Sequence, residues 1–170
     1  GPAGTEHNRR VACDSGRIVL MSLRIPPLVQ VLICGAIGWG LSSVTPFLAF
    51  EGVWRSAAAL LFIAAGMAIL ALALGAFIRA RTTVNPLAPE EAATLVTTGL
   101  YRISRNPMYL AMAAILTGGA FLMGNLSAFV APILFVWLMT EFQIKPEERA
   151  LQARFGEAFD AYRIRTRRWI

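Results

Sequence analysis

Charge is scarce in this chain. Only 15% of its 170 residues are Asp, Glu, Lys or Arg, against about a quarter in a typical soluble domain. Cysteine and histidine are scarcer still, with two Cys and one His. Cys13 lies in a polar leader and Cys34 in an apolar run, so no metal-ligand spacing exists and a disulfide between them is not expected. His7 also lies in the leader, which removes histidine catalysis and a histidine-based metal site from the body of the chain. No strand precedes the glycines Gly35, Gly38 and Gly40, so they read as close-packing positions and not as a phosphate loop. There is no internal repeat.

What fills the chain is apolar, at 56% of residues. Pro26 to Phe50 and Ser56 to Ile78 contain no charged residue. At about 1.5 Å rise per residue, each is long enough as a helix to cross a hydrocarbon core of ~30 Å. Neither alternates as a barrel strand would, and a helix satisfies its own backbone where lipid offers no partner. A third stretch, Pro107 to Thr140, is interrupted by the turn formers Gly124 and Asn125. It divides into Met108–Met123 and Leu126–Phe142, both short for a full span. The expected architecture is all-α: an integral membrane bundle of four transmembrane helices plus a C-terminal amphipathic helix.

The basic residues agree with that count. All 16 except Arg55 lie before Pro26, between Arg79 and Arg105, or after Phe142, and four crossings put those three places on one side. The positive-inside rule makes that side cytoplasmic, with both termini there, as in a bacterial inner membrane. The net charge of +6 then reads as topology and contact with anionic lipid. A nucleic-acid partner would need a basic face on a soluble fold, so none is expected, nor is a metal. Residues 1–20 read as a leader or an expression remnant, expected to be disordered, with Met21 as a candidate natural start. Residues 21–170 form one domain.

The residues with chemistry on them lie near the helix ends. Tyr101, Arg105, Asn106 and Tyr109 form one group, with Asn106 in position to cap the third helix and Pro107 as its first residue. Glu147 and Glu148 form the other. Both suit the first turn of a helix starting near Pro146, but Glu147 lies on the side of the apolar stripe made by Leu151, Phe155, Ala158, Phe159 and Tyr162. Gly156 interrupts that amphipathic helix and allows close contact. Trp169 suits interfacial anchoring.

Together the two groups resemble a known signature. Leu95-Val96-Thr97-Thr98-Gly99-Leu100-Tyr101, then Arg105-Asn106-Pro107-Met108-Tyr109, is similar to the L-V-T-x-G-x-Y and R-H-P-x-Y pattern of the isoprenylcysteine carboxyl methyltransferase and phospholipid methyltransferase superfamily. Glu147-Glu148, Leu151, Phe155-Gly156, Phe159, Tyr162 and the closing Arg168-Trp169-Ile170 follow in family order. The resemblance covers Leu95 to Ile170. It implies an S-adenosylmethionine site in about residues 93–170. Ala93, Thr94, Leu95, Val96 and Tyr101 would line one wall, Asn106, Pro107, Met108 and Tyr109 another, and Glu147 with Glu148 would contact the cofactor's amino or hydroxyl groups. Asn106 stands where the family usually has histidine. Gln143 stands where the prenylcysteine enzymes place an arginine for the substrate carboxylate.

The expected function is therefore methyl transfer from S-adenosylmethionine to a small lipophilic acceptor, a carboxylate, amine or thiol, entering from the bilayer. Arg105 would hold an anionic acceptor and Glu148 would take a proton from a neutral one. The rival is a non-catalytic membrane binding protein or subunit that keeps the fold. A transporter would place ionisable residues within its spans, and the first two runs carry none.

Overall fold

The computed structural model describes residues 25–80 and 95–170. The leader, Ala93 and Thr94 lie outside them. Helix α1, Pro27–Val44, ends before Pro46, whose missing N–H and fixed φ start a separate 3₁₀ turn, Pro46–Leu48. Helix α2, Val53–Ala80, is 28 residues long. A 3₁₀ turn at Gly99–Arg102 precedes α3, Pro107–Met123, which stops at Gly124 in the left-handed conformation (φ 63°). A short 3₁₀ turn, Leu126–Phe129, leads into α4, Val130–Leu138, which passes through a π-helical turn, Met139–Ile144, into α5, Lys145–Phe155. Helix α6 is Glu157–Arg165. Among the described residues no strand occurs, only two isolated bridges, Ala49 with Asn125 and Ser104 with Arg167.

Among the described residues, three helical stretches are long and apolar enough to cross a membrane: Pro27–Val44, Val53–Ala80 and Leu126–Phe155. Helix α3 is equally apolar but has 17 residues, about 25 Å at helical rise. Leu60, Leu61 and Leu72 of α2 are each more than 60% exposed, a surface that fits lipid and not water.

Two expectations change here. The apolar segment from Leu126 and the helix carrying Glu147 are one continuous helical stretch and not two. Pro146 cannot donate to the ladder, and the wider π turn just ahead of it, where backbone bonding is already irregular, carries the chain into it without a break. The amphipathic helix divides at Gly156, where an interruption was expected, but the reason is the backbone conformation there, φ 51°, ψ −124°. A Cβ at Gly156 would meet nothing within 4 Å, so glycine serves the backbone there and not close contact.

Helix pairs pack through small residues. A Cβ at Gly66 would stand 2.8 Å from the Ala111 carbonyl oxygen, and one at Gly118 would stand 3.0 Å from that of Ala59. The two glycines thus face each other's helix across the antiparallel α2–α3 crossing. Lipid gives no hydrophobic drive for helix association, so this close approach supplies the dispersion contact that does. Gly38 plays the same part for α1 against Ala128 and Ala131 of the following hairpin. The larger core cluster joins Cys34, Tyr109, Leu116, Phe135, Met139 and Ile144.

At one end of the bundle the α1–α2 and α3–α4 turns are tied together. Phe50 N–H donates to the Gly124 carbonyl at 2.8 Å. Asn125, 3% exposed, donates to the Thr45 carbonyl (2.8 Å) and accepts from the Ser127 N–H (2.9 Å) and hydroxyl (2.8 Å). Rings of Phe50, Trp54, Phe62, Phe121 and Phe129 pack around this knot. Asn125→Ala leaves these buried partners unmet, and we expect it to cost roughly 2–3 kcal/mol. Thermal unfolding in detergent reads this loss; an unchanged midpoint would mean the knot is not stabilising.

Candidate active site

The opposite end gathers the polar residues. Helix α3 starts here, and the π turn and α5 pass beside it. The π turn brings Gln143, 3% exposed, one helical turn ahead of Glu147 on the face that meets Tyr109. The Tyr109 hydroxyl donates to Glu147 Oε1 at 2.7 Å, and Gln143 Nε2 donates to the same oxygen at 2.6 Å. Glu147 is thus held over the end of the apolar core, with one oxygen fixed by two donors.

Glu148, the next residue on α5, faces a different set. Arg105 approaches with Nη2 at 2.8 Å and Nε at 3.2 Å from Oε1. Arg168 places Nη2 2.6 Å from Oε2 and Nε 3.1 Å from Oε1. The Arg105 and Glu148 side chains are only 11% and 13% exposed. Arg105 Nη1 completes its set with the carbonyls of Arg163 and Thr166. One carboxylate between two guanidiniums is a strong charge-assisted arrangement, and it joins three distant parts of the chain.

The C-terminal segment is strapped across the start of α3. Arg105 N–H donates to the Arg167 carbonyl at 2.9 Å, and Asn106 Nδ2 donates to the Arg168 carbonyl at 3.0 Å. Asn106 occupies the N-cap position of α3 but its side chain makes no capping bond. The capping role expected of it is replaced by this grip on the strap. Trp169, expected at the interface, turns inward onto the larger core cluster and donates from Nε1 to Thr140 Oγ1 at 3.2 Å.

Val96, Tyr101 and Met108 pack together against Ala73, Ala76 and Phe77 at the end of α2. Tyr101 meets Phe77 edge to face, with ring centroids 5.3 Å apart, and its carbonyl accepts from the Tyr162 hydroxyl at 2.6 Å. The Tyr101 phenol is pushed above its ordinary pKa by burial first, and then by Tyr162 and Glu147. Burial also pushes the Tyr162 phenol up. Both stay protonated across the working pH range. Arg168 is held above its usual value, chiefly by its hydrogen bond to Glu148.

The structure therefore brings together Tyr109 with Glu147, and Arg105 with Glu148. Pro107 is buried at the first turn of α3, and Leu95 is half-buried before the Tyr101 turn. Among the described residues no group of three or more His, Cys, Asp or Glu could hold a metal ion.

The sequence profile of phospholipid methyltransferases matches residues 54–158, which takes in α2, α3 and both acidic residues of α5. The chain belongs to the phospholipid methyltransferase family. That makes it a member of a membrane methyltransferase family, and its apolar helices fit a bilayer setting. A Haemophilus influenzae protein described only as uncharacterized is 35% identical over 63 residues, covering 37% of this chain and all of that protein. No solved structure matches the chain.

Sequence reasoning singled out Glu147 and Glu148, left Tyr162 in the apolar stripe and Arg168 among the closing residues, and gave Thr140 no part. Arg168 had a signal in the closing Arg168-Trp169-Ile170 of the resemblance, but nothing in its spacing names Glu148 as its partner 20 residues away.

Proposed function

We propose that this phospholipid methyltransferase family member is a four-crossing membrane enzyme that transfers a methyl group from S-adenosylmethionine to a small lipophilic acceptor at its strapped end. The observation that carries this reading is the Tyr109–Gln143–Glu147 cluster, a carboxylate held against the end of an apolar bundle. With α3 as a short crossing, the turn containing Asn125 faces one side of the membrane and the polar end the other, which by charge is the cytoplasm.

The donor set suits the cofactor. Glu147 offers a carboxylate to an ammonium or to sugar hydroxyls, and Tyr101, Met108 and Tyr109 offer apolar and aromatic surface. Ala93, Thr94, Leu95 and Val96 would complete one wall, and Asn106 with Pro107 the floor at the start of α3. When bound, S-adenosylmethionine supplies a methyl group already activated on a sulfonium. The chain's task is then to align the acceptor and exclude water. Arg105 and Glu148 satisfy each other, so we assign them first to closing the strap over the site. Holding an anionic acceptor or taking a proton would require one of them to leave its partner. Gln143 donates to Glu147, so a carboxylate acceptor arriving at Gln143 would meet a like charge. That favours an amine acceptor.

The saturation of Arg105, Glu148 and Asn106 by protein partners also favours a second reading, a membrane binding protein that keeps the fold without turnover. Thermal unfolding with S-adenosylhomocysteine tests the site. At a hundred times its dissociation constant the ligand should stabilise the fold by about 2.7 kcal/mol, and Glu147→Ala should remove that gain. No shift at millimolar ligand in the folded wild type would overturn the cofactor site. A shift without methyl transfer to any amine, thiol or carboxylate lipid would select the second reading.

A further inference from the structure

The outer edge of the polar end repeats one pattern twice. In the turn before α3, Tyr101 and Ser104 point inward and are buried, while Arg102 and Ile103 between them are exposed. At the end of α6, Tyr162 and Thr166 are buried, while Arg163, Ile164 and Arg165 between them are exposed. The inward residues pin the segments side by side. The Tyr162 hydroxyl donates to the Tyr101 carbonyl at 2.6 Å, and the Thr166 hydroxyl to the Arg102 carbonyl at 3.5 Å. Ser104 bridges Arg167, which is also exposed. Ile103 is 63% exposed and Ile164 86%, so one edge presents two isoleucines among four arginines. Asp160 lies 3.9 Å from Arg163, and both members of that pair are about half exposed.

The edge also sits at a defined height. Ile103 is four residues before α3 begins, and the strap that follows α6 reaches Thr140 in the π turn through Trp169. On the neighbouring helical stretch, Trp137 and Phe142 are 55% and 45% exposed and meet edge to face at 5.9 Å. Exposed aromatic rings flanking an apolar span mark the level where hydrocarbon gives way to headgroups. Isoleucine inserted below that level with arginine at it is the combination that binds an anionic leaflet.

We propose that the edge formed by Arg102, Ile103, Arg163, Ile164, Arg165 and Arg167 docks on anionic lipid headgroups of the leaflet the chain occupies, and that this contact holds α6 and the strap down. The proposal does not depend on the chemistry of the site, and its test reads no methyl transfer. Hydrogen exchange over residues 157–167 is followed in nanodiscs of phosphatidylcholine alone and with phosphatidylglycerol added. Exchange should slow by roughly tenfold or more in the anionic discs, and 0.5 M salt should remove most of the difference by screening, as at about 1 M the Debye length is only ~3 Å. A variant with Arg163→Gln, Arg165→Gln and Arg167→Gln should lose the lipid dependence while keeping exchange in α2 and α3 unchanged. Equal exchange in the two lipid compositions, for wild type folded in both, would overturn the proposal whether or not the variant folds. Slowing by anionic lipid that the Ile103→Ser, Ile164→Ser and arginine variants all retain would also overturn it.

Discussion

Glu148→Leu should destabilise the protein by about 3–5 kcal/mol. The reason is the cost of what remains. Arg105 and Arg168 would lie side by side with no carboxylate between them, and Arg105 is 11% exposed. A guanidinium has no accessible neutral form to escape into. The strap would then be held by the Arg105 N–H bond to Arg167, the Asn106 and Arg105 side-chain bonds to its carbonyls, and Trp169. Arg105→Met should cost nearly as much, because Glu148 loses its more buried partner. The double variant Arg105→Met, Glu148→Leu should recover part of the loss, since replacing a whole buried pair by apolar side chains is often neutral. A double-mutant cycle by chemical unfolding in detergent measures the coupling. Strictly additive losses would show that the two residues do not act as a pair.

Gly118→Leu should be comparably severe, at about 3 kcal/mol or more. The new Cβ would stand 2.6 Å from Ile63 Cγ1 and 3.0 Å from the Ala59 carbonyl oxygen. A backbone atom cannot move aside as a side-chain tip can, so α2 and α3 would have to separate. The adjacent residue supplies the control. A Cβ at Gly119 meets nothing within 4 Å, and Gly119 lines an apolar groove of about 430 Å³ between α1 and α3. Gly119→Leu should be tolerated and should gain up to about 1 kcal/mol of helix propensity. Equal midpoints for the two variants, read by fluorescence-detected thermal unfolding, would mean that the α2–α3 approach does not limit stability.

These contrasts show what could be read from the residues. The apolar runs placed α2 and α3 to within three residues, whereas the first run overran α1 by six, because Pro46 starts a separate turn. Gly118 and Gly119 look identical in sequence, and only the α2–α3 crossing separates them. Pro146 misled for a physical reason: proline favours a helix's first turn, but the adjacent π turn let an existing helix continue through it. Gly156 marked a break correctly, while its purpose, a positive φ, was not visible. The acidic pair was legible as a pair. Its division was not. Glu147 turns to Tyr109 and Gln143, whereas Glu148 turns to Arg105 and Arg168, a difference that depends on how the strap returns.

That return sets an order of assembly. The clamp on Glu148 draws on Arg105, before α3, and on Arg168, beyond α6. The apolar helices can enter the bilayer and pack through their small residues while the chain is still being made. Arg105 and Glu148 have only each other, water or lipid headgroups until Arg168 and the carbonyls of Arg163 and Thr166 follow. A chain stopped at α5 would be a bundle with an open polar end, and the segment from Gly156 to Arg168 turns it into a closed one.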